Sequence, residues 1–343
     1  MDSRLLLARR VYVACLVYAT VLTIAWLYTF VAGPQDAIFF RQYRPDGTSV
    51  GNVLFGFLFF NILWGCVWYG VKTLLLRRFV GFSKEETRRS FSSRMEGEPY
   101  DVAPLLARYS ERRIRIADMV GRRGRFMTLG AAGFYYVYTR VSADPTASFL
   151  TIALADNLFD AVVFNWLALV FYRSSGFLGR MFYGPQSRVM DGTLARANCL
   201  LITMLWSAFK FVLVPIGAQL SSLFPPSAFG MLFALIWGTY MAADALSEVA
   251  GSIFGRQKLR VWGLGDVNRK SVAGTVAGFA AALALGVAVV TGHGLTAPWF
   301  GLVFAIAVSN TLLELYSPRG TDDFTMATAN ALLCWAFGAW ILT

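Results

Sequence analysis

The stretch 272-VAGTVAGFAAALALGVAVVTG-292 runs for twenty-one residues without a charge. Few folds are open to a chain that contains it. About 20 apolar residues span the hydrocarbon core of a bilayer as a helix, where every backbone N–H and C=O must be paired within the structure. The run is one of several. The 343-residue chain is 57% hydrophobic and 15% charged, whereas soluble domains carry roughly 45–50% apolar and about 25% charged residues. The pattern predicts nine spans, at about 11–33, 50–76, 126–143, 148–171, 196–223, 226–250, 272–292, 297–316 and 324–342. The expected fold is all-α, a polytopic transmembrane helical bundle. The first run follows Arg9 and Arg10, but it is longer than the apolar part of a cleaved signal, roughly 7–15 residues. It is therefore kept as a span.

Lysine and arginine gather in cytoplasmic loops, and their distribution here selects one orientation. The segment 77–125 is dense in arginine, including Arg77, Arg78, Arg88, Arg89, Arg112, Arg113, Arg115, Arg122, Arg123 and Arg125. Placing it in the cytoplasm also puts the N-terminus, 172–196, 251–271 and 317–323 there, while 34–49, 144–147, 224–225, 293–296 and the C-terminus face the other side with few basic residues. The net charge of +11 follows from this bias, so no nucleic-acid partner is expected. The arginine-rich segment is also suited to anionic lipid head groups, each nearby cation adding about 1 kcal/mol of attraction. The expected location is an integral membrane protein of a bacterial inner membrane or an endomembrane.

Cys15, Cys66, Cys199 and Cys334 all lie in apolar runs without CxxC spacing, and His293 is the single histidine. A thiolate or imidazole metal centre is thereby excluded. A metal would be held by oxygen ligands, which suits Mg2+.

Ionisable residues inside spans are costly and mark function or buried pairs. Asp156 and Asp160 share a helical face in 153-ALADNLFDAVVFNW-166, and Lys210 lies in 206-WSAFKFVLVP-215. Their simplest reading is an ion pair joining two helices; a polar cavity is the alternative. A second group sits at the cytoplasmic ends of three later spans. In 240-YMAADALSEVAGSIFGRQKL-259, Asp244 and Glu248 stand four residues apart and so share one face with Ser247, Gly251 and Gly255. The segment 269-RKSVAGTVAGF-279 opens the next span, and 308-VSNTLLELYSPRGTDD-323 closes the one after it. Ser271, Gly274 and Thr275 stand at a helix N-terminus, whose unpaired N–H groups and dipole favour an anion, and Lys270 adds a positive charge. Gly274 and Gly278 also form a helix-packing pair. Asp244, Glu248, Glu314, Asp322 and Asp323 are candidate ligands for magnesium or proton acceptors for a lipid hydroxyl; Asp322 and Asp323 also suit a plain helix cap.

These blocks resemble the dolichol kinase/phytol kinase family of CTP-dependent lipid kinases, related to phosphatidate cytidylyltransferases. The family's "GD-x-x-A" leading to "G-x-x-x-G-(R/K)" is similar to 243-ADALSEVAGSIFGR-256, its "(K/R)-S-x-E-G-(S/T)" to 270-KSVAGT-275, and its "T-L-x-E-x-x-S" with a following acidic pair to 311-TLLELYS-317 and Asp322-Asp323. Ala243 stands where the family has glycine, and Ala273 where it has glutamate. The likeness covers roughly the last third of the chain.

The resemblance implies a division at about residue 195. The stretch 1–195 is an N-terminal membrane region carrying the arginine-rich segment, and 196–343 is a catalytic membrane region. It implies phosphoryl transfer from CTP, with Mg2+ as cofactor, to a membrane lipid alcohol such as a polyprenol, phytol or diacylglycerol at the cytoplasmic face. Lys270, Ser271, Gly274, Thr275, Gly251, Gly255 and Arg256 would face the nucleotide. Asp244, Asp322 and Asp323 would hold the metal, and Asp244, Glu248 and Glu314 would act in catalysis. Two alternatives stand beside it. One is a phosphatidate cytidylyltransferase, with Arg319 or Arg256 on the lipid phosphate. The other is a transporter or inactive lipid-binding membrane protein built around Asp156, Asp160 and Lys210.

Overall fold

The computed structural model describes residues 3–32, 63–91, 100–143, 165–174, 176–261, 268–317 and 320–341. They fall into two compact units, one of Met1–Leu129 with Leu158–Met204, the other of Gly130–Asn157 with Leu205–Thr343. The helices in chain order are α1 (Ser3–Ala32), α2 (Trp64–Leu74, continued by a π turn Leu75–Val80), α3 (Lys84–Phe91), α4 (Ala103–Arg108), α5 (Glu111–Ala143), α6 (Asn165–Arg173), α7 (Phe177–Tyr183), α8 (Ala195–Leu223), α9 (Phe229–Phe254), α10 (Val272–Gly292), α11 (Ala297–Tyr316) and α12 (Asp322–Ile341). Among the described residues five helical stretches are long and apolar enough to cross a membrane: Ser3–Ile24, Phe229–Phe254, Val272–Gly292, Ala297–Tyr316 and Asp322–Ile341. The first starts earlier than the sequence pattern suggests, so Arg4, Arg9 and Arg10 lie on the helix and are exposed. Residues 50–62 and 148–164 of two expected spans, with Asp156, Asn157 and Asp160, lie outside the described residues, as do Arg319 and the side chain of Lys210.

In the first unit, the arginine-rich segment is not a plain loop. Lys84–Phe91 starts with a reciprocal cap: the Ser83 N–H donates to Glu86 Oε2 at 2.8 Å, and the Glu86 N–H donates to Ser83 Oγ at 3.1 Å. This satisfies two of the donors that a helix start leaves unpaired. Arg77, Arg78, Arg88, Arg89, Arg112 and Arg113 are exposed, but Asp118, Arg123 and Arg125 are buried. Lys72, fully buried on α2, meets Asp118 at 2.9 Å and donates to the Gly184 carbonyl at 3.0 Å. Arg196 Nη1 donates to the carbonyls of Phe171, Tyr172 and Ser174, and its Nη2 to that of Phe91. Lys72 and Arg196 thus meet a carboxylate and carbonyls at helix ends, as burial demands, although Arg196 Nε has no hydrogen-bond partner among the described residues.

In the second unit, α9 to α12 pack in sequence order; short turns join α10 to α11 and α11 to α12, while the longer segment 255–271 joins α9 to α10. Their core joins Leu235, Ile236 and Tyr240 of α9, Ala282 and Val290 of α10, Val303 and Ile306 of α11, and Met326, Ala331 and Cys334 of α12. α9 and α10 approach closely. A Cβ at Gly274 would stand 2.6 Å from the Ser247 carbonyl oxygen, and one at Gly278 would stand 3.0 Å from that of Ala243. Only glycine fits there, the close-approach use of the small residue in a membrane helix pair. Between these helices lies an element that the helical reading does not include. Strand β1 (Lys258–Val261) pairs antiparallel with β2 (Asn268–Ser271), with Leu259 opposite Lys270. The alternation of more and less exposed residues along 258–261 is the strand period, but four residues are too short a signal to stand out in a sequence of long apolar runs.

Candidate functional site

Three helices deliver one acidic group each to a common point. Asp244 comes from the C-terminal half of α9, Glu314 from the last turn of α11 and Asp322 from the first turn of α12. One ligand oxygen from each lies within 4.8 Å of the others. Local contacts hold them there. The Ser317 and Thr325 hydroxyls are 2.6 Å apart across the α11–α12 turn, and Thr325 Oγ1 also donates to the carbonyls of Thr321 and Asp322. Gly320, at φ +83°, makes that turn in a backbone region which other residues rarely enter.

The fourth member is Lys270, placed on β2 by the hairpin. Its ammonium donates to Glu314 Oε1 and lies 3.8 Å from Asp322 Oδ2. Burial works against its charge, but the acidic groups of Glu314, Asp322 and Asp244 outweigh burial and hold it protonated above the ordinary lysine range. Ser247 Oγ stands 3.2 Å from the same Glu314 Oε1 and 3.0 Å from the Asp244 carbonyl. Glu314 Oε2, on a residue only 7% exposed, has no hydrogen-bond partner among the described residues.

The expected residues divide by position. Asp244, Glu314, Asp322 and Lys270 come together. Asp323 sits beside Asp322 in the first turn of α12, and Glu248 one turn from Asp244; both are half-buried and neither belongs to the close triad. Ser271 caps α10, its Oγ accepting from the Gly274 N–H at 3.2 Å, while Thr275 Oγ1 donates to the Ser271 carbonyl at 3.0 Å. The Val272 N–H donates to the Gln257 carbonyl at 3.2 Å. Two of the first N–H groups of α10 are therefore engaged inside the protein. Gly251 and Gly255 pack against Ser271, where a Cβ would stand 3.1 Å and 2.7 Å from its Oγ. Arg256, just past α9, is exposed.

Sequence reasoning misses a polar layer deeper in the same helices. Thr239, Asn310 and Asn330 are fully buried. The Thr239 hydroxyl donates to the Leu235 carbonyl at 2.5 Å and accepts from Asn310 Nδ2 at 3.4 Å and Asn330 Nδ2 at 3.2 Å. Asn330 Nδ2 also donates to the Ile236 carbonyl at 3.1 Å, inside the π turn Ala234–Gly238. π turns often mark functional sites. Thr239 precedes Asp244 by five residues, Asn310 precedes Glu314 by four and Asn330 follows Asp322 by eight. At about 1.5 Å per residue, the layer lies roughly 6–12 Å further along each helix. Its signal in the sequence is two asparagines in uncharged runs, which are less conspicuous than carboxylates.

Acidic oxygens are hard ligands of the kind that divalent ions take; Asp244, Glu314 and Asp322 are the residues that could hold one, and Glu314 Oε2 has no hydrogen-bond partner among the described residues. No protein-family model, curated protein or solved structure matches this chain.

Proposed function

We propose that the chain is an integral membrane lipid kinase that transfers the γ-phosphoryl group of CTP to a lipid alcohol at the cytoplasmic face. The observation that carries the reading is the meeting of Asp244, Lys270, Glu314 and Asp322. Three sequence blocks, separated along the chain and each similar to the lipid kinase pattern, supply the same small cluster. Phosphoryl transfer depends mainly on positioning and charge neutralisation, and this cluster supplies both signs of charge at the ends of membrane helices.

In this reading Asp244, Glu314 and Asp322 would hold Mg2+, with Asp323 and Glu248 next to them, and the ion would supply neutralisation of phosphate charge. Lys270 and Arg256 meet the nucleotide. The lipid hydroxyl oxygen bonds to the γ-phosphorus, the bond from that phosphorus to the bridging oxygen breaks, and CDP leaves. The hydroxyl proton passes to a carboxylate beside the cation-binding triad, Glu248 being the candidate, one turn from Asp244 on α9. The full bundle has nine spans with the N-terminus in the cytoplasm, and the exposed arginines of 77–125 lie near anionic lipid head groups.

The test supplies purified protein with Mg2+ and CTP labelled on the γ phosphate, together with polyprenols, phytol and diacylglycerol. A parallel reaction supplies phosphatidate with α-labelled CTP. Label from the γ position in a lipid supports the kinase and names its substrate. Label from the α position in lipid makes the chain a cytidylyltransferase. Folded protein that transfers neither label to any lipid overturns both readings and favours a binding or transport role.

A further inference from the structure

The acidic triad already has a counter-ion. Lys270 donates to Glu314 Oε1 and stands 3.8 Å from Asp322, and the same Oε1 receives the Ser247 hydroxyl. Both of these donors fall on one oxygen of the carboxylate. Its other oxygen, Oε2, is buried without a partner among the described residues, an arrangement that costs free energy until a donor or a cation completes it. A divalent ion taking one oxygen from each of Asp244, Glu314 and Asp322 would sit about 2.1 Å from each. It would then lie beside an ammonium that touches the same carboxylate, and two cations so close repel strongly in a partly buried site.

We infer that Lys270 is the resident counter-ion of the cluster and that a divalent cation binds by displacing its ammonium from Glu314 and Asp322. This rests on the cation-site part of the proposed function. The backbone need not move. Leu259 pairs across the hairpin with Lys270, and the next residue, Ser271, caps α10, so the long side chain alone swings. Displacement frees the ammonium from the carboxylates, so that it can meet the phosphate groups of a metal–nucleotide complex, which need a positive partner. Metal entry and delivery of the lysine to the nucleotide become one event.

Removing Lys270 should therefore strengthen cation binding, the opposite of the usual effect of losing a residue in a binding site. The full chain in lipid nanodiscs is titrated with Mn2+ and free ion is followed by electron paramagnetic resonance. Lys270→Gln should bind at least about tenfold more tightly than the wild type, since the loss of one positive neighbour is worth that much in affinity. Lys270→Arg, which keeps the charge, should stay near the wild type, and Glu314→Gln should bind more weakly. Equal or weaker binding by Lys270→Gln overturns the exchange while leaving the cation site standing. Absence of Mn2+ binding by both folded wild type and Lys270→Gln overturns the site and the exchange together. A second measurement needs no variant: acetylation of Lys270 in the wild type, read by mass spectrometry, should rise several-fold when Mn2+ is added. Unchanged labelling with Mn2+ bound contradicts displacement.

Discussion

Lys270 and Glu314 stand 44 residues apart in the chain and form one ion pair. One is fixed by a short hairpin, the other by the last turn of a membrane-length helix. Ser247, on a second helix, contacts the same carboxylate oxygen. The pair therefore fixes α9, α11 and the hairpin at a single point, and substitutions around it should separate binding from folding.

The polar layer below that point should act on stability. Thr239→Val removes an acceptor shared by Asn310 and Asn330. It should destabilise the protein by about 1–3 kcal/mol, the cost of leaving buried donors unpaired. Thr239→Ser keeps the hydroxyl and should lose much less. Unfolding in mixed micelles of increasing denaturing detergent measures the difference.

The α9–α10 contact predicts a contrast between two glycines. Gly274→Ala brings a Cβ within 2.6 Å of a backbone oxygen, which cannot yield as a side-chain tip does. It should cost about 1–3 kcal/mol through overpacking. Gly301→Ala, in α11 with nothing within 4 Å of the added Cβ, should be neutral or stabilise by about 0.4–1 kcal/mol by restricting the unfolded chain. The same unfolding assay compares them.

In the first unit, Asp118→Asn leaves the Lys72 ammonium buried without its carboxylate. The loss should be about 3–5 kcal/mol, the usual cost of breaking one side of a buried pair. Lys72→Met combined with Asp118→Leu should recover much of it, because neither partner is then left charged. A smaller loss in the double variant than in Asp118→Asn, read by thermal aggregation, checks this.

Glu86 gives a pH dependence. Burial pushes its carboxyl upward, but the Ser83 N–H, the Tyr109 hydroxyl and Arg108 prevail and hold it below the ordinary glutamate value. Its contribution to stability is thus present above the unfolded value, about 4.3, and is lost as pH falls through the lower folded value. Hydrogen exchange of the amides in 83–87 should accelerate as pH falls through that acid window once the intrinsic rate is divided out. Glu86→Gln should abolish that step. Ser83→Ala should raise exchange at every pH, the cap being worth about 0.5–2 kcal/mol.

Much of the second unit is legible in the sequence alone. The uncharged run 272–292 corresponds to α10, and 297–316 to α11, because hydrophobic length is a signal that tertiary context rarely overrides. The candidate cluster is legible in its members, since carboxylates at span ends stand out. Its partition is not: Glu314 rather than Asp323 completes the close triad, and that choice depends on the turn between α11 and α12. The hairpin is hidden by its brevity. Lys72 escapes notice because one cation inside a long apolar run resembles a span end, and its partner Asp118 lies 46 residues further on among arginines. Asn310 and Asn330 give no periodic signal, and only packing reveals what they bind.

The most direct measurement compares wild type with Glu314→Gln in nanodiscs containing the accepted lipid alcohol, at saturating Mg2+. It follows label from the γ position of CTP into lipid. The account predicts transfer by the wild type, and a loss of at least about a hundredfold in kcat for the variant, the range seen when a general base or a key charge is removed. Equal transfer by both proteins would contradict it, because the group at the centre of the cluster would then have no part in the chemistry.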